Sequence, residues 1–228
     1  MRKYFKLWAE TEEHKAKVSE TLAFLRTLAG KKVYVAFSGG KDSICVLHLA
    51  YSVLGGNLHV FHWDHGLWLM PRSVEKEILK IMHTIAPKAK HVVASSSRLN
   101  REEARWNWKI WYNAFFGALQ RLAKEHGWEI GLLGLRREES VKRRFKASTW
   151  CIEGCPKLCF PIRSWGWRDV WAYIVSNNLP YPSVYDKYCK LLGWDKCRLV
   201  TFFDKEFEHL GNQIDGYLMW KNKHHTEP

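Results

Sequence analysis

Apolar and polar residues alternate along the chain with two different periods. Short β-rich runs predict strands over 32–37, 57–63, 91–94 and 129–133. Apolar residues at helical spacing predict helices over 11–28, 44–54, 73–85, 106–125 and 169–176. Strands that alternate with helices are typical of an α/β fold with a parallel sheet. Such folds bind ligands at the carboxyl ends of the strands, so polar motifs directly after strands are the candidates for a functional site.

The composition is that of a globular protein. Hydrophobic residues make up 46% and charged residues 26% of the 228 residues, which excludes a disordered chain. The length suits one domain, or one domain with a small appendage. The sequence has no apolar run long enough for a transmembrane helix, and its charged first residues lack the apolar core of a secretory signal. We therefore expect a cytoplasmic protein with no membrane partner.

Charge and aromatic content bear on the partners of the chain. Lys and Arg number 36 against 23 Asp and Glu, a net charge of +13, and there are 13 Trp. A basic surface with exposed aromatic rings can bind nucleic acid through phosphate contacts and base stacking. The alternative is that the aromatic residues lie in the core. The run over 105–116 favours this alternative, because it has the pattern of a buried helix face.

The strongest chemical signal is the sequence SGGKDS between the first predicted strand and its helix. Its candidate ligand-binding residues are Ser38, Gly39, Gly40, Lys41, Asp42 and Ser43. Glycines let backbone amides approach an anion, and the following helix presents unpaired N–H groups and a positive dipole end. Lys41 adds a charge, and Asp42 suits either a Mg²⁺ ion or a role in fixing the loop. The spacing matches neither a Walker A loop nor a dinucleotide-binding G-x-G-x-x-G.

A second polar motif, LGLRREESVKR over 133–143, follows the fourth predicted strand. Its candidate binding residues are Gly134, Arg136, Glu139, Ser140 and Arg143. Arginine forms forked hydrogen bonds with phosphate or sulfate, and a carboxylate can orient it. The alternative is a solvated run of mixed charge. At the end of the second strand, Asp64 is a candidate contact for a ribose or Mg²⁺, and His65 is interpreted as a turn residue.

Together these motifs resemble a known family. SGGKDS resembles the PP-loop, S-G-G-x-D-S, of the adenine-nucleotide α-hydrolases. The segment 133–143 resembles the G-x-R-x-x-E-S-x-x-R segment of phosphoadenylyl-sulfate (PAPS) reductases. PIRSWGWRDVWAY (161–173) and LPYPSVYD (179–186) resemble two further blocks of the same family. The resemblance covers residues 32–186, most of the chain.

The resemblance implies a fold and a division of the chain. The expected fold is α/β, three-layered and Rossmann-like, with a mainly parallel five-stranded sheet and a small C-terminal extension. The expected parts are an N-terminal helical extension (1–30), a PP-loop nucleotide-binding domain (31–186) and a C-terminal extension (187–228).

The resemblance also implies an activity. The chain is expected to bind an adenine nucleotide, PAPS, adenylyl sulfate (APS) or ATP, and to act at its α-phosphate or sulfo end. Lys41 and Arg136 are the expected catalytic residues, with Mg²⁺ if the substrate is ATP. A thioredoxin-like reductant and a homo-oligomeric state are the further expectations.

One departure from the family pattern leaves the chemistry open. Sulfonucleotide reductases attack sulfur with a cysteine thiolate in a C-terminal Glu-Cys-Gly-Leu-His segment, whereas this sequence has no Cys after Cys197. The turn Asp64-His65-Gly66 is closer to that of tRNA-modifying PP-loop ATPases. The alternatives are therefore an ATP pyrophosphatase component of tRNA or DNA sulfur modification, and a nucleic-acid-binding protein without catalysis.

Five of the six cysteines lie after residue 150. Cys151, Cys155, Cys159 and Cys197 are candidate ligands for Zn²⁺ or an iron–sulfur cluster, although their spacing is not a standard pattern. The alternatives are a sulfur-carrying thiol near the cleft and ordinary free thiols. Without an export signal we expect reduced cysteines and no disulfide framework.

Overall fold

The computed structural model describes residues 1–64, 71–95, 108–139 and 141–199. The helices are α1 (Arg2–Ala9), α2 (Glu12–Arg26), α3 (Lys41–Leu54), α4 (Arg72–Ile85), α5 (Trp108–His126), α6 (Val141–Lys146), α7 (Trp167–Ser176) and α8 (Val184–Leu192). The strands are β1 (Val33–Ala36), β2 (His59–Asp64), β3 (Lys90–Ser95), β4 (Ile130–Leu132), β5 (Cys151–Ile152) and β6 (Lys157–Cys159).

The strands form a single sheet in the order β3-β2-β1-β4-β6-β5. Every neighbouring pair is parallel except the hairpin of β5 and β6, which is antiparallel. The predicted Rossmann-like α/β fold is confirmed, with six strands where five were expected. The difference lies in the hairpin, because strands of two and three residues are too short to show a periodic pattern. β1 lies between β2 and β4, so the two polar motifs leave adjacent strands at the same edge.

The long helices begin and end near their predicted positions. Thr11 caps α2, since its side-chain oxygen accepts the His14 N–H at 3.3 Å, and Asn177 ends α7. The helices α1, α6 and α8 were not predicted. They contain eight, six and nine residues, and so few turns carry little periodic signal.

The N-terminal helices share the core of the sheet domain. The Phe5 ring is fully buried and lies against the rings of Trp167, Trp171 and Trp194, at centroid distances between 5.6 and 6.3 Å. The buried tryptophans among the described residues are Trp63, Trp128, Trp165, Trp171 and Trp194. Much of the aromatic surplus is therefore core. The division at residues 30 and 186 stays a prediction.

Asp169 joins the first two helices to α7. Its buried carboxylate accepts hydrogen bonds from Trp8 Nε1 at 2.9 Å, from Lys17 Nζ at 2.8 Å and from the Gly166 N–H at 2.7 Å, and His14 Nδ1 lies at 3.4 Å. Burial alone raises the pKa of a carboxyl group, but these donors outweigh it and hold the pKa of Asp169 well below its usual range. We call this cluster the Asp169 junction.

The lengths and the polar residues of the helices show whether any of them could span a membrane. The longest helix in the described ranges, α5, has 19 residues and carries basic residues in its last turn. None of the described helices combines the length and the apolar character that a bilayer span requires.

Candidate functional site

The SGGKDS loop turns tightly between β1 and α3. The Ser38 N–H and hydroxyl donate to Ser43 Oγ at 3.3 and 3.2 Å, and the Gly40 N–H donates to Ser38 Oγ at 3.4 Å. Ser43 Oγ in turn donates to the Gly40 carbonyl at 2.9 Å. The two serines therefore close the loop on itself at the N-terminal end of α3, the end that carries the positive helix dipole.

Gly39 is required by this turn. Its φ of +77° lies in the left-handed region that favours glycine. A Cβ on Gly39 would also approach the Ile78 side chain of α4 to 2.6 Å. The loop therefore lies directly against α4.

Lys41 is buried, with 1% of its surface exposed. Its ammonium donates to the Cys197 carbonyl at 2.7 Å and lies 3.5 Å from Asp42 Oδ2. Its backbone N–H donates to the Tyr185 hydroxyl at 3.2 Å. The predicted phosphate-binding cation thus also holds the segment after α8 against the loop.

Asp42 and Arg136 connect the two polar motifs. Arg136 Nε donates to Asp42 Oδ1, and both side chains lie mostly out of solvent. Burial lowers the pKa of Arg136. The charges of Asp42, Glu139 and Glu138 raise it by more, so its net pKa shift is upward. The guanidinium therefore stays charged in a buried position.

Gly134 brings the second motif into contact with the first. A Cβ on Gly134 would lie 2.9 Å from the Asp42 carbonyl carbon and 2.9 Å from the Ser43 nitrogen. Only glycine allows this approach, because the neighbouring atoms are backbone. The two motifs therefore meet at the carboxyl edge of the sheet, where motifs that follow parallel strands are expected to bind a ligand.

Arg136 has one buried donor, Nη1, without a hydrogen bond to any described residue. Glu138 Oε2 lies 3.6 Å from this nitrogen, close enough for an ion pair but too far for a hydrogen bond. Glu139 Oε2 accepts the backbone N–H of Arg136 at 3.0 Å, so Glu139 helps to fix the turn in which Arg136 lies. Buried donors are rarely left unpaired, and an anion is the natural partner for this one.

Asp64 lies at the end of β2 and is held by Arg72. Arg72 Nη1 and Nη2 donate to its two carboxylate oxygens at 2.7 and 2.8 Å. The carboxylate is thus engaged by a forked ion pair, and a contact with ribose or Mg²⁺ stays a prediction.

The structure does not describe the side chains of three of the residues that the sequence singled out. Ser140, His65 and the side chain of Arg143 lie outside the described residues. Their expected contacts stay predictions.

The cysteines are arranged differently from the expectation. Cys151 and Cys159, directly opposite each other in the β5–β6 pair, form a disulfide, so the expectation of reduced cysteines is wrong for this pair. Cys155 is exposed and Cys197 is buried. Sulfurs joined in a disulfide are not thiolates, so this form does not fit a zinc or iron–sulfur site built on Cys151, Cys155, Cys159 and Cys197. Among the described residues no group of three or more His, Cys, Asp or Glu side chains is placed to hold a metal.

Sequence reasoning missed four contributors to the site. Tyr185 and the Cys197 carbonyl contact Lys41, and the buried pair of His62 and Glu75 lies behind the loop. A main-chain carbonyl leaves no signal in a sequence. The spacing of Arg72, Glu75 and Ile78, three residues apart on one helix, was the only available hint of a shared face.

Comparison with known proteins now places the chain. A family model described as "Phosphoadenosine phosphosulfate reductase domain" matches residues 32–200. The chain belongs to this family. One member, "Adenosine 5'-phosphosulfate reductase 2" of Bacillus subtilis (strain 168), is 25% identical over 184 residues, 75% of each chain. A second, "Adenosine 5'-phosphosulfate reductase" of Bacillus cereus (strain AH820), is 24% identical over 212 residues, 86% of this chain and 88% of the relative.

A solved structure supports the fold of this family member. The PAPS reductase from Candida auris, determined as a phosphate complex, superposes with a TM-score of 0.55 at 18% identity. The match covers 80% of this chain and 88% of that one. At this identity the likeness shows the fold alone, and it agrees with the sheet and helices described above.

Proposed function

We propose that this chain is an enzyme of the PAPS reductase type. Its substrate is an adenine nucleotide with a phosphosulfate group, APS or PAPS, bound across the carboxyl ends of β1 and β4. Membership in the family and the named relatives support the class of enzyme. The geometry supports the place where the nucleotide binds.

The observation that carries the proposal is the unpartnered Nη1 of Arg136. A buried donor without an acceptor costs about 1–3 kcal/mol, and more when it is charged. That cost is removed when a phosphate or sulfate oxygen accepts the hydrogen bond. Gly134 supports the same place, because it lets the backbone of the second motif lie against the Asp42–Ser43 backbone of the loop.

Residues of both polar motifs have roles in this proposal. The loop from Ser38 to Ser43 and the α3 N-terminus surround the phosphate, and Arg136 binds an oxygen at the far end. When a thiolate attacks the sulfate sulfur, the S–O bond breaks and its electron pair leaves on the nucleotide phosphate. Lys41 and Arg136 stabilise the charge that develops on this phosphate. Arg143 and Ser140 are proposed to extend the same binding surface.

The attacking thiol is proposed to come from a thioredoxin-like reductant or from Cys155. Within the described residues Cys45, Cys189 and Cys197 are buried, whereas Cys155 is exposed. A second thiolate then attacks the thiol-derived sulfur of the resulting S-sulfonate. The bond between that sulfur and the sulfo group breaks, its electron pair leaves on sulfite, and the two thiols are joined in a disulfide. The two thiols supply the two electrons of the reduction.

A second candidate function is adenylation by an ATP pyrophosphatase, with tRNA or DNA as the acceptor. The sequence Asp64-His65-Gly66 favours it, because it is closer to that of tRNA-modifying PP-loop ATPases. Asp42 and Asp64 have the carboxylate chemistry that Mg²⁺ requires, although both are engaged with arginines. A homo-oligomeric state and a cytoplasmic location are kept as proposals.

Thermal unfolding with a nucleotide panel tests these candidates. The panel is APS, PAPS, AMP, the 3′,5′-bisphosphate and ATP with Mg²⁺. A ligand at 100 times its Kd adds about 2.7 kcal/mol to the free energy of unfolding. Stabilisation by APS or PAPS above ATP supports the reductase, and the reverse order supports the pyrophosphatase.

Arg136→Gln is the decisive variant, with Arg137→Gln as its matched control. Arg137 is the next residue and is exposed, so both changes remove one positive charge from the same turn. Arg136→Gln is expected to weaken the preferred nucleotide at least tenfold, and Arg137→Gln less than threefold, about 0.6 kcal/mol. Equal effects, or no stabilisation by any nucleotide, would refute the proposed site.

A further inference from the structure

His62 and Glu75 form a buried pair directly behind the SGGKDS loop. The two side chains are 2% and 1% exposed. His62 Nε2 lies 2.6 Å from Glu75 Oε1, and His62 Nδ1 lies 2.7 Å from the Phe37 carbonyl oxygen. Both ring nitrogens therefore face acceptors.

The hydrogen bonds fix where the protons lie. A carbonyl oxygen has no proton to give, so Nδ1 carries a hydrogen and donates it to Phe37. Nε2 and Glu75 share one further proton, whether the pair is written as imidazolium and carboxylate or as two neutral groups. Glu75 thereby holds the imidazole in the orientation that serves the Phe37 carbonyl.

That carbonyl belongs to the peptide group that begins the loop. The Phe37 N–H makes the last ladder bond of β1, to the Phe61 carbonyl at 2.8 Å. The Phe37 carbonyl and the Ser38 N–H are two ends of one planar peptide group. When His62 fixes the carbonyl, it also directs the Ser38 N–H toward Ser43 Oγ, 3.3 Å away.

One face of α4 makes a set of contacts with this region. Arg72, Glu75 and Ile78 follow one another at three-residue spacing, which places them on the same face. Arg72 binds Asp64, and Glu75 binds His62. Ile78 packs against Gly39, where a Cβ would collide with it. The helix thus supports the end of β2 and the loop together.

We propose that Glu75 and His62 are positioning residues for the anion site, which act through the Phe37–Ser38 peptide group. This inference rests on the proposed function, because it concerns the same site. The pair does not touch the nucleotide. It sets the direction of the first loop amide before the nucleotide arrives, so that binding does not have to order the loop.

The test compares Glu75→Leu with Glu75→Gln. A Gln side chain can donate to Nε2 and keep the imidazole in place, whereas Leu cannot. In the unliganded protein, hydrogen exchange of the amides over 38–43 is expected to rise about tenfold or more in Glu75→Leu, and to stay near the wild-type rate in Glu75→Gln. The affinity for the preferred nucleotide is expected to fall by a similar factor in Glu75→Leu and to be rescued in Glu75→Gln.

Ile85→Ala is the matched control for general destabilisation. Ile85 is a buried residue at the other end of α4, so its truncation weakens the helix without touching the pair. Its loop exchange is expected to remain close to wild type after correction for the lower global stability. If Glu75→Leu does not fold, Glu75→Asp, one methylene too short to keep the 2.6 Å contact, is expected to show the same rise.

The outcomes separate the inference from the proposed function. Unchanged loop exchange in Glu75→Leu or its Asp substitute, or a Gln variant as impaired as the Leu variant, would overturn the positioning role even if nucleotides bind. A wild-type protein that binds no nucleotide refutes the proposed function, while the exchange measurements still decide the role of the pair.

Discussion

The Asp169 junction and the candidate site are each built around a carboxylate with a basic partner, Asp169 with Lys17 and Asp42 with Arg136. At the Asp169 junction, every donor around the carboxylate has found an acceptor. At the candidate site, Arg136 Nε donates to Asp42, and Nη1 of the same guanidinium has no hydrogen-bond acceptor among the described residues. A completed cluster contributes to stability, whereas an incomplete buried one is a place for a ligand.

The two clusters also differ in how they are built. Asp169 gathers donors from α1, α2 and the start of α7, and thereby holds three segments of the chain together. Asp42 and Arg136 join two loops that leave neighbouring strands, close to Gly134 and the SGGKDS loop. The position at the carboxyl edge of the sheet, together with the unpaired donor, makes the second cluster the candidate functional site.

The largest expected effect is on the Asp169 junction. Asp169→Asn leaves two or more buried donors facing an amide nitrogen, and it is expected to lower the free energy of unfolding by about 3–5 kcal/mol. Urea denaturation measures this loss. Nucleotide affinity of the folded fraction is expected to be unchanged, since the junction does not contact the site. A loss below 1 kcal/mol would contradict the assignment of Asp169 as a structural cluster.

A smaller effect is expected from Gly134→Ala, which prevents the close contact between the two loops. The Cβ of Gly134→Ala would push against the backbone of Asp42 and Ser43, which is expected to cost about 1–3 kcal/mol of stability. It is also expected to weaken the preferred nucleotide at least tenfold, about 1.4 kcal/mol.

Gly117→Ala is the matched control for Gly134→Ala. Gly117 is exposed within α5 and a Cβ there meets no atom within 4 Å. The control is expected to be neutral or to stabilise the protein by up to about 1 kcal/mol. Nucleotide affinity retained in Gly134→Ala would show that the close approach does not shape the site.

The pH dependence of stability tests the Asp169 junction without changing its structure. The folded-state pKa of Asp169 lies below the unfolded value, so its contribution is fully present above about pH 4 and is lost as the pH falls. The loss is expected to reach about 1 kcal/mol at pH 3 relative to neutral pH. The difference in unfolding free energy between wild type and Asp169→Asn should shrink by this amount, and a constant difference from pH 6 to pH 3 would contradict the lowered pKa.

The sequence correctly predicted where the two polar motifs lie in the fold, because both are local motifs after strands. SGGKDS, Gly134 and Arg136 each follow a strand directly, and carboxyl ends of parallel strands meet at one edge whatever the intervening helices do. Their juxtaposition therefore followed from the strand–helix alternation alone. The hairpin of β5 and β6 escaped prediction because its strands are too short for a pattern.

The rest depends on partners far away in the sequence. Lys41 donates to a main-chain carbonyl 156 residues away, and the Asp169–Trp8 bond spans 161 residues. No spacing rule connects such positions, because their meeting depends on how the helices dock. The disulfide of Cys151 and Cys159 requires the register of a hairpin that the sequence did not reveal.

The smallest expected effect comes from an exposed ion pair of Lys17. It tests whether burial explains why one of the two ion pairs of Lys17 contributes more to stability than the other. Lys17 Nζ donates to two carboxylates at nearly equal distances, Asp169 Oδ2 at 2.8 Å and Glu13 Oε1 at 2.7 Å. The Asp169 side chain is 2% exposed and the Glu13 side chain 61%. Glu13→Gln is expected to change the free energy of unfolding by at most about 0.5 kcal/mol, because solvent screens an exposed pair. Urea denaturation measures this change as well. If Glu13→Gln lowered the free energy of unfolding about as much as Asp169→Asn, the contribution of the junction to stability would come from the charge of Lys17 and not from the burial of Asp169.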